Sequence, residues 1–565
     1  MTVIPNNRSA PPQEAPPPPL TWPTILLVLT LAAVIWFAFL GQRDLRDPDE
    51  GRYAEIPREM VASGDWITPR LNGFKYFEKP PLDYWGTALA YTLFGTGQGT
   101  SRLWCAALGF LGVVWTFWLG KCLFGTREGL YAALFLVSSL LYFAMGHMHT
   151  LDMGTTLFMT LGLGSLLLAQ SQRQDPAFVR AWMLLAWSGL AAATLSKGPV
   201  GLVLPAAAVT MYSLWQRDFA LWRQLHLGKG LLLYLALTAP WFVLVSLRNP
   251  EFPEFFFIRE HLLRYTTSIH SRNASTLYFI PVLLAGSLPF MARMLSALAR
   301  PAFSWRPADA GQFSPLRLLW VYCLFIFLFF SFSHSKLIPY ILPIFPPLAL
   351  LVGHHLVHKN RGDLRLDARI LAGVLVLLAV VILWPGLFLA NSRLSPEMID
   401  HFRWWLLGGG SILAVGTLWV LRLRAQGHRG VIILAGTSLL AFQVIQVGYQ
   451  TTSQVYSARQ LAAAIAPFIQ SGSPVYSIDC FQHSLPFYLG RTITLVRYRG
   501  ELEFGIDQEP ERWISSMDEF YRRWQQDPRG VAVFHHRDAV FIQAQKDLPM
   551  RILYEDPLRV AVVRP

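Results

Sequence analysis

Charge is scarce in this chain. Asp, Glu, Lys and Arg supply only 15% of 565 residues, hydrophobic residues supply 53%, and the mean hydropathy is +0.36. So little charge over such a length excludes an ordinary soluble protein. Cysteine is scarcer still: Cys105, Cys122, Cys323 and Cys480 are the only four. Their spacing is neither a disulfide framework nor a metal cluster, and the first three lie in or beside apolar stretches, where a thiol packs as a small apolar group. Gly-rich phosphate loops, zinc-finger spacings and RNA-binding signatures are missing. Neither a nucleotide cofactor nor a nucleic-acid partner is expected.

What the chain does have is a succession of apolar runs. A bilayer core is crossed by a helix of roughly 20 apolar residues, and about thirteen runs approach that length. They fall near 22–40, 104–124, 129–146, 152–170, 179–195, 198–215, 229–247, 277–296, 316–334, 337–357, 369–391, 404–421 and 430–449. Lys and Arg concentrate in alternate connections such as "KCLFGTRE", "QRDFALWRQLHLGK" and "HKNRGDLRLDAR". Positive loops mark the cytoplasmic side, so the net charge of +13 reflects orientation in a membrane. The proline-rich residues 1–21 form a disordered cytoplasmic tail on this reading. The first run is long for a signal-peptide core and no small-residue cleavage site follows it, so it is expected to be retained.

An odd number of spans places the loops 41–103 and 248–276, and everything after 449, on the periplasmic side. Residues 450–565 alternate helical with strand-like patterns ("PVYSIDCF", "TITLVRY", "GVAVFHH", "RILYEDPLRVAVV"), which implies a small α/β domain. "ERWISSMDEFYRRWQQDP" reads there as one amphipathic helix, and nothing in the domain is expected to be catalytic. The expected fold is an integral membrane all-α bundle, residues 22–449, with two interfacial helices in the first periplasmic loop and a C-terminal α/β domain. The first interfacial helix, "YAEIPREMVASGDW", should turn Ile56, Met60 and Val61 inward and carry Pro57 in its first turn. "PPLDYWGTALAYTLFG" supplies the second.

Ionisable residues avoid the middle of the spans, which argues against a transporter. They gather in outward connections: Asp49, Glu50, Arg52, Glu78 and Lys79 in the first loop, Asp152 at the start of a span, Lys197 in a tight turn, Glu260, His261 and Arg264 in the second loop, and Lys336 beside Tyr340. Tight connections keep these groups at one depth. They can therefore converge on one acid–base cavity at the membrane boundary, suited to chemistry on a lipid headgroup. Each has a plainer reading. Asp49 is placed to cap a helix, Glu78–Lys79 to sit in a solvated loop, Lys197 to reach water, and Tyr53 and Tyr76 to join an aromatic belt. His147 and His149 read as residues of a hydrated loop.

The stretch "DEGRYAEIPREMVASGDWITPRLNGFKYFEKPPLDYW" resembles the first outward loop of the bacterial lipid A aminoarabinose transferases (ArnT), polyprenyl-phosphate-dependent GT-C type glycosyltransferases related to protein O-mannosyltransferases. "FIREHLLRY" and "SHSKLIPYILPIFPPLALL" resemble two further stretches of that family. The resemblance implies inverting transfer of 4-amino-4-deoxy-L-arabinose from undecaprenyl phosphate to a lipid A phosphate, by a monomer at the periplasmic face of the bacterial inner membrane. It implies Asp49 and Asp152 as the acids of the reaction. It assigns Lys79, Arg264, Tyr340, Arg52 and Lys197 to the donor phosphate, and Tyr53, Tyr76, Glu50 and Lys336 to the substrate cavity. Glu78 and His261 resemble a pair that holds a divalent ion such as zinc, although two protein ligands make only an open site. The motifs do not fix the sugar, and a hydroxyl acceptor is the alternative. A hydroxyl would need Asp49 as its base, whereas a phosphate, already anionic, would not; the role of Asp49 stays open.

Overall fold

The computed structural model describes residues 21–263, 274–299, 311–358, 363–384, 394–422, 428–470, 472–527 and 529–565, with the backbone alone at 261–263. Residues 1–20 of the expected tail, Arg264 and the His261 side chain lie outside the described residues. Among the described residues nine helices are long and apolar enough to cross a bilayer, or ten when one bent pair is taken as a single span. Three shorter apolar helices, Trp22–Phe37, Val200–Gln216 and Thr276–Gly286, occupy the other expected runs. At about 1.5 Å per residue they fall short of a full crossing, so length alone does not reach thirteen.

The elements that build the site come early in the chain. They are α1 (Trp22–Phe37), α2 (Asp49–Ser63), α3 (Leu82–Phe94), α4 (Gln98–Leu123), the bent pair α5 (Thr126–Ser138) and α6 (Leu140–Gly146), α7 (Asp152–Ser171) and α8 (Pro176–Lys197). Trp36 locks the first of these together. Its ring is fully buried, its indole N–H donates to the Ala106 carbonyl at 2.9 Å, and a Cβ on Gly109 or Gly146 would stand 2.8 or 2.3 Å from the ring. Truncating it to alanine is expected to cost about 3–5 kcal/mol.

Helix α2 begins at Asp49 itself, with Asp49 and Glu50 in the first turn, where carboxylates favour the helix dipole. Pro57 therefore lies in the helix interior and not in its first turn, leaving one carbonyl of the preceding turn without its helical donor. Ile56 and Met60 are buried as expected, but Val61 is 37% exposed, because one helical step past Met60 turns it by about 100°. The helix stops at Gly64, whose φ of +74° suits glycine. Next comes the hairpin β1 (Arg70–Leu71) and β2 (Phe74–Lys75), turned by Asn72-Gly73 with φ of +53° and +82°. Asn-Gly favours this two-residue turn, and the turn returns the chain so that "YFEKPP" lies beside α2. His147 and His149 are buried, not hydrated: His147 bonds the Phe143 and Trp36 carbonyls at 2.8 and 2.7 Å, and His149 lies 3.1 Å from the Thr87 hydroxyl.

The C-terminal sheet comprises β3 (Val475–Ile478), β4 (Thr494–Val496), β5 (Trp513–Ile514), β6 (Val531–His535), β7 (Arg551–Glu555) and β8 (Arg559–Val563), in the order β5-β4-β3-β6-β8-β7. The first four are parallel, while β8 pairs antiparallel with both β6 and β7. The segment expected as one helix is split: β5 takes Trp513–Ile514, and Ser516 then caps the helix Met517–Gln526 by accepting from the Glu519 N–H. One face of this sheet shares a core with the first loop. Ile56, Met60, Leu71 and Tyr76 cluster with Leu461, Leu495, Val531 and Val533. Burial of that shared apolar surface holds α2 between α3 and the C-terminal helix Ser484–Leu489.

Candidate active site

Two groups of charges lie at one end of these helices, where α2 begins, α7 starts and α8 stops. The first is built on α2. Asp49, half exposed, accepts from Arg52 at 2.5 Å, one turn further along the helix. The other arm of the buried guanidinium donates to the Tyr76 hydroxyl at 2.8 Å and to Glu501 of the C-terminal domain at 2.6 Å. Glu501 in turn accepts from His483 at 2.5 Å. Burial works against the Arg52 charge, but Tyr76, Glu501, Tyr53 and Glu78 around it outweigh burial and hold the group cationic.

The second group is built where α7 starts and α8 stops. Lys197, the last residue of α8, pairs with Asp152, the first residue of α7, and its ammonium lies 5.1 Å from the centre of the Tyr340 ring. Tyr53 stands within reach of both groups. Burial pushes its hydroxyl well up; Arg52 opposes that, and Asp49, Glu78 and Asp152 add to it. Acids and cations expected from separate connections therefore face a common region: Asp49, Arg52, Tyr53, Tyr76 and Glu78 from the first loop, with Asp152, Lys197 and Tyr340 from the bundle. Lys79 donates to the Glu78 carbonyl at 2.8 Å. Lys336 is buried and donates to the Ser333 carbonyl at the end of the helix Pro315–Phe332.

Glu50 does not belong to the cavity. It is fully buried and accepts from Arg43 at 2.8 and 3.0 Å, from Arg102 at 2.8 and 2.9 Å, and from the backbone N–H groups of Arg46 and His149 at 3.0 and 3.1 Å. Burial alone would raise its carboxyl, but Arg102 and Arg43 outweigh it and keep the group ionised. Its work is to tie α2 to α4 and to the turn before α7. Among the described residues no three His, Cys, Asp or Glu side chains are grouped to hold a metal ion, and of the expected metal pair Glu78 alone has a described side chain.

The family model described as the aminoarabinose transferase C-terminal domain matches residues 461–564, and that of dolichyl-phosphate-mannose-protein mannosyltransferase matches residues 22–256. The undecaprenyl phosphate-α-4-amino-4-deoxy-L-arabinose arabinosyl transferase of Erwinia tasmaniensis is 33% identical over 431 residues, covering 73% of this chain and 75% of that protein. The protein of the same name from Edwardsiella ictaluri is 32% identical over 509 residues, covering 86% and 87%. The chain belongs to the aminoarabinose transferase (ArnT) family. The crystal structure of ArnT from Cupriavidus metallidurans bound to undecaprenyl phosphate resembles it with a TM-score of 0.86 and 34% identity, over 95% of this chain and 97% of that one.

Three groups beside this ArnT-type site were missed in the sequence. Asp83 lies in the first turn of α3, 3% exposed, with the Trp104 indole N–H on one oxygen at 3.2 Å. Burial raises its carboxyl to about 7; hydrogen bonds from Ser196 and Trp104 oppose the shift, Asp152 adds to it, and Lys197 opposes it. An acid inside an apolar interfacial helix was the available signal. Glu501 and His483 gave none, because they reach Arg52 only through the fold.

Proposed function

We propose that this chain transfers 4-amino-4-deoxy-L-arabinose from undecaprenyl phosphate to a phosphate of lipid A, with inversion at the sugar, at the periplasmic face of the bacterial inner membrane. The observation that carries this reading is the gathering of Asp49–Arg52 and Asp152–Lys197 around Tyr53. The relatives are arabinosyl transferases by name, and one ArnT structure holds undecaprenyl phosphate. The Lys and Arg bias of the loops supports a cytoplasmic N-terminus and a periplasmic C-terminal domain. The monomer is taken as the working unit.

The chemistry needs no net proton transfer. The bond from the sugar C1 to the undecaprenyl phosphate oxygen breaks, and its electron pair stays with the lipid phosphate. An oxygen of the acceptor phosphate forms the new bond on the opposite face. One negative charge thus moves from acceptor to leaving group. Lys79, Arg52 and Lys197, with Arg264 and the Tyr340 hydroxyl, stabilise the charge growing on the leaving phosphate, most effectively where water is excluded. Asp49 and Asp152 stabilise the positive charge developing on the sugar and pair with its amino group. Tyr53 and Tyr76 line the cavity, as does Lys336. A divalent ion held by Glu78 and His261 would add to the same phosphate stabilisation; no step here depends on it.

The test is purified protein with synthetic undecaprenyl-phospho-aminoarabinose and lipid A, followed by mass spectrometry. The expected product is lipid A heavier by one aminoarabinose. Transfer to a hydroxyl acceptor with none to lipid A would replace this reading by the mannosyltransferase-like one.

A further inference from the structure

In the C-terminal sheet the chain turns one way from β3 to β4 and the other way to β6, so the strand order reverses at β3. Parallel sheets of this kind present their working residues beyond the carboxyl ends of the strands at such a reversal. Here the segments that follow β3 and β4 supply His483 and Glu501. Glu501 reaches Arg52 on α2, and His483 backs Glu501. The result is one line of alternating groups: His483 to Glu501 at 2.5 Å, Glu501 to Arg52 at 2.6 Å, and Arg52 to Asp49 at 2.5 Å.

The approach is close. A Cβ on Gly51 would stand 2.5 Å from the Ser484 nitrogen, and the Asp47 carboxylate accepts from the Ser484 N–H at 2.6 Å and from its hydroxyl at 3.0 Å. The domain is therefore seated on α2 at the turn that carries Asp49 and Arg52. Arg52 is buried and shared by two carboxylates of unequal exposure, Glu501 at 20% and Asp49 at 50%. Without Glu501, Asp49 would be the one carboxylate still bonded to the guanidinium, whose stronger pull would draw it back along α2. With Glu501 in place, Arg52 is fixed from behind and Asp49 keeps a free oxygen for the cavity.

We infer that Glu501, tethered by His483, is a positioning residue for the transfer reaction: it holds Arg52 so that Asp49 faces the sugar, and the C-terminal domain thereby completes the site. This rests on the function proposed above. The inference assigns the domain a part in turnover and not in donor affinity.

The full-length protein in detergent or nanodiscs tests it, with turnover followed by mass spectrometry of lipid A. Glu501→Gln is expected to lower kcat at least tenfold while donor KM stays within threefold of wild type. Glu501→Asp should recover part of the loss. The double variant Arg52→Gln/Glu501→Gln should be no slower than Arg52→Gln alone, because the second change acts only through the first. A kcat for Glu501→Gln within twofold of wild type, or losses that multiply in the double variant, would overturn the inference. If Glu501→Gln does not fold, His483→Asn loosens the same carboxylate more gently: a several-fold fall in kcat with unchanged donor KM supports the inference, and unchanged kcat overturns it. A wild type that makes no product overturns the proposed function, and this inference with it.

Discussion

Replacing Glu50 by glutamine separates an architectural carboxylate from a catalytic one. In the wild type this fully buried side chain sits against two guanidinium groups, with four side-chain bonds of 2.8 to 3.0 Å and two from backbone N–H groups. Glutamine keeps the shape and one acceptor oxygen but removes the charge. Arg43 and Arg102 then face each other with no carboxylate between them, and the new amide N–H₂ points at a cation. Breaking a buried ion pair from one side costs on the order of 3–5 kcal/mol. At roughly 2 °C per kcal/mol for a large domain, that is an unfolding midpoint lower by about 6–10 °C. Tryptophan fluorescence suits the assay, because Trp36 lies in the core that α1 shares with α4 and α6. The expected variant is poorly expressed and unfolds early, while its folded fraction turns over within a fewfold of wild type. A variant with an unchanged unfolding midpoint and a hundredfold loss of kcat would refute this reasoning and return Glu50 to the cavity.

Gly51→Ala should cost about 1–3 kcal/mol by overpacking α2 against Ser484, and should slow turnover by easing Glu501 away from Arg52; thermal unfolding with kinetics checks it, and no change in either would show the seat to be slack. Asp83→Asn tests a buried acid through pH. With a folded pKa of about 7 against 3.8 for an ordinary aspartate, the native state binds the extra proton, so wild-type stability falls as pH rises from about 4 to 7 and then levels. Asparagine removes that loss, so the variant should gain on wild type up to on the order of 4 kcal/mol above pH 7, and a pH-independent difference would show that Asp83 stays ionised. A donor carrying a hydroxyl in place of the sugar amine should lose about 10- to 100-fold in kcat/KM, measured by competition in one tube; equal use of both donors would remove the acids from sugar selection.

The fold was legible where the physics is local. Apolar runs of bilayer length and the alternating patterns after Tyr449 each specify structure within a few residues. The site was legible only in part. Asp49 and Glu50 are neighbours in the sequence, and the resemblance places both at the site, Asp49 as an acid of the reaction and Glu50 in the substrate cavity. A helix separates neighbours by about 100°, so one carboxylate faces the open end of the site and the other faces Arg43 and Arg102. Glu501 was invisible for a different reason: its partner Arg52 lies 449 residues away, and no local pattern encodes that distance. Asp83 was overlooked because the period of α3 fits a helix whether or not the acid is functional.

The pairing of these charges bears on which sugar the site accepts. At a membrane boundary an unpaired ion is costly, and in the structure Lys197 is neutralised by Asp152 and Arg52 by Asp49 and Glu501. A phosphate entering such a site must draw a cation away from its carboxylate, and the carboxylate left behind has Asp83 as a neighbour. A neutral sugar would leave that acid without a partner and return much of the gain. An amino sugar brings the missing cation on the same molecule as the phosphate. Two ion pairs are then exchanged for two others, with no charge stranded in between. On the proposed reading, the selectivity for aminoarabinose therefore resides in the prior pairing of Asp152 with Lys197, rather than in any single contact to the amine.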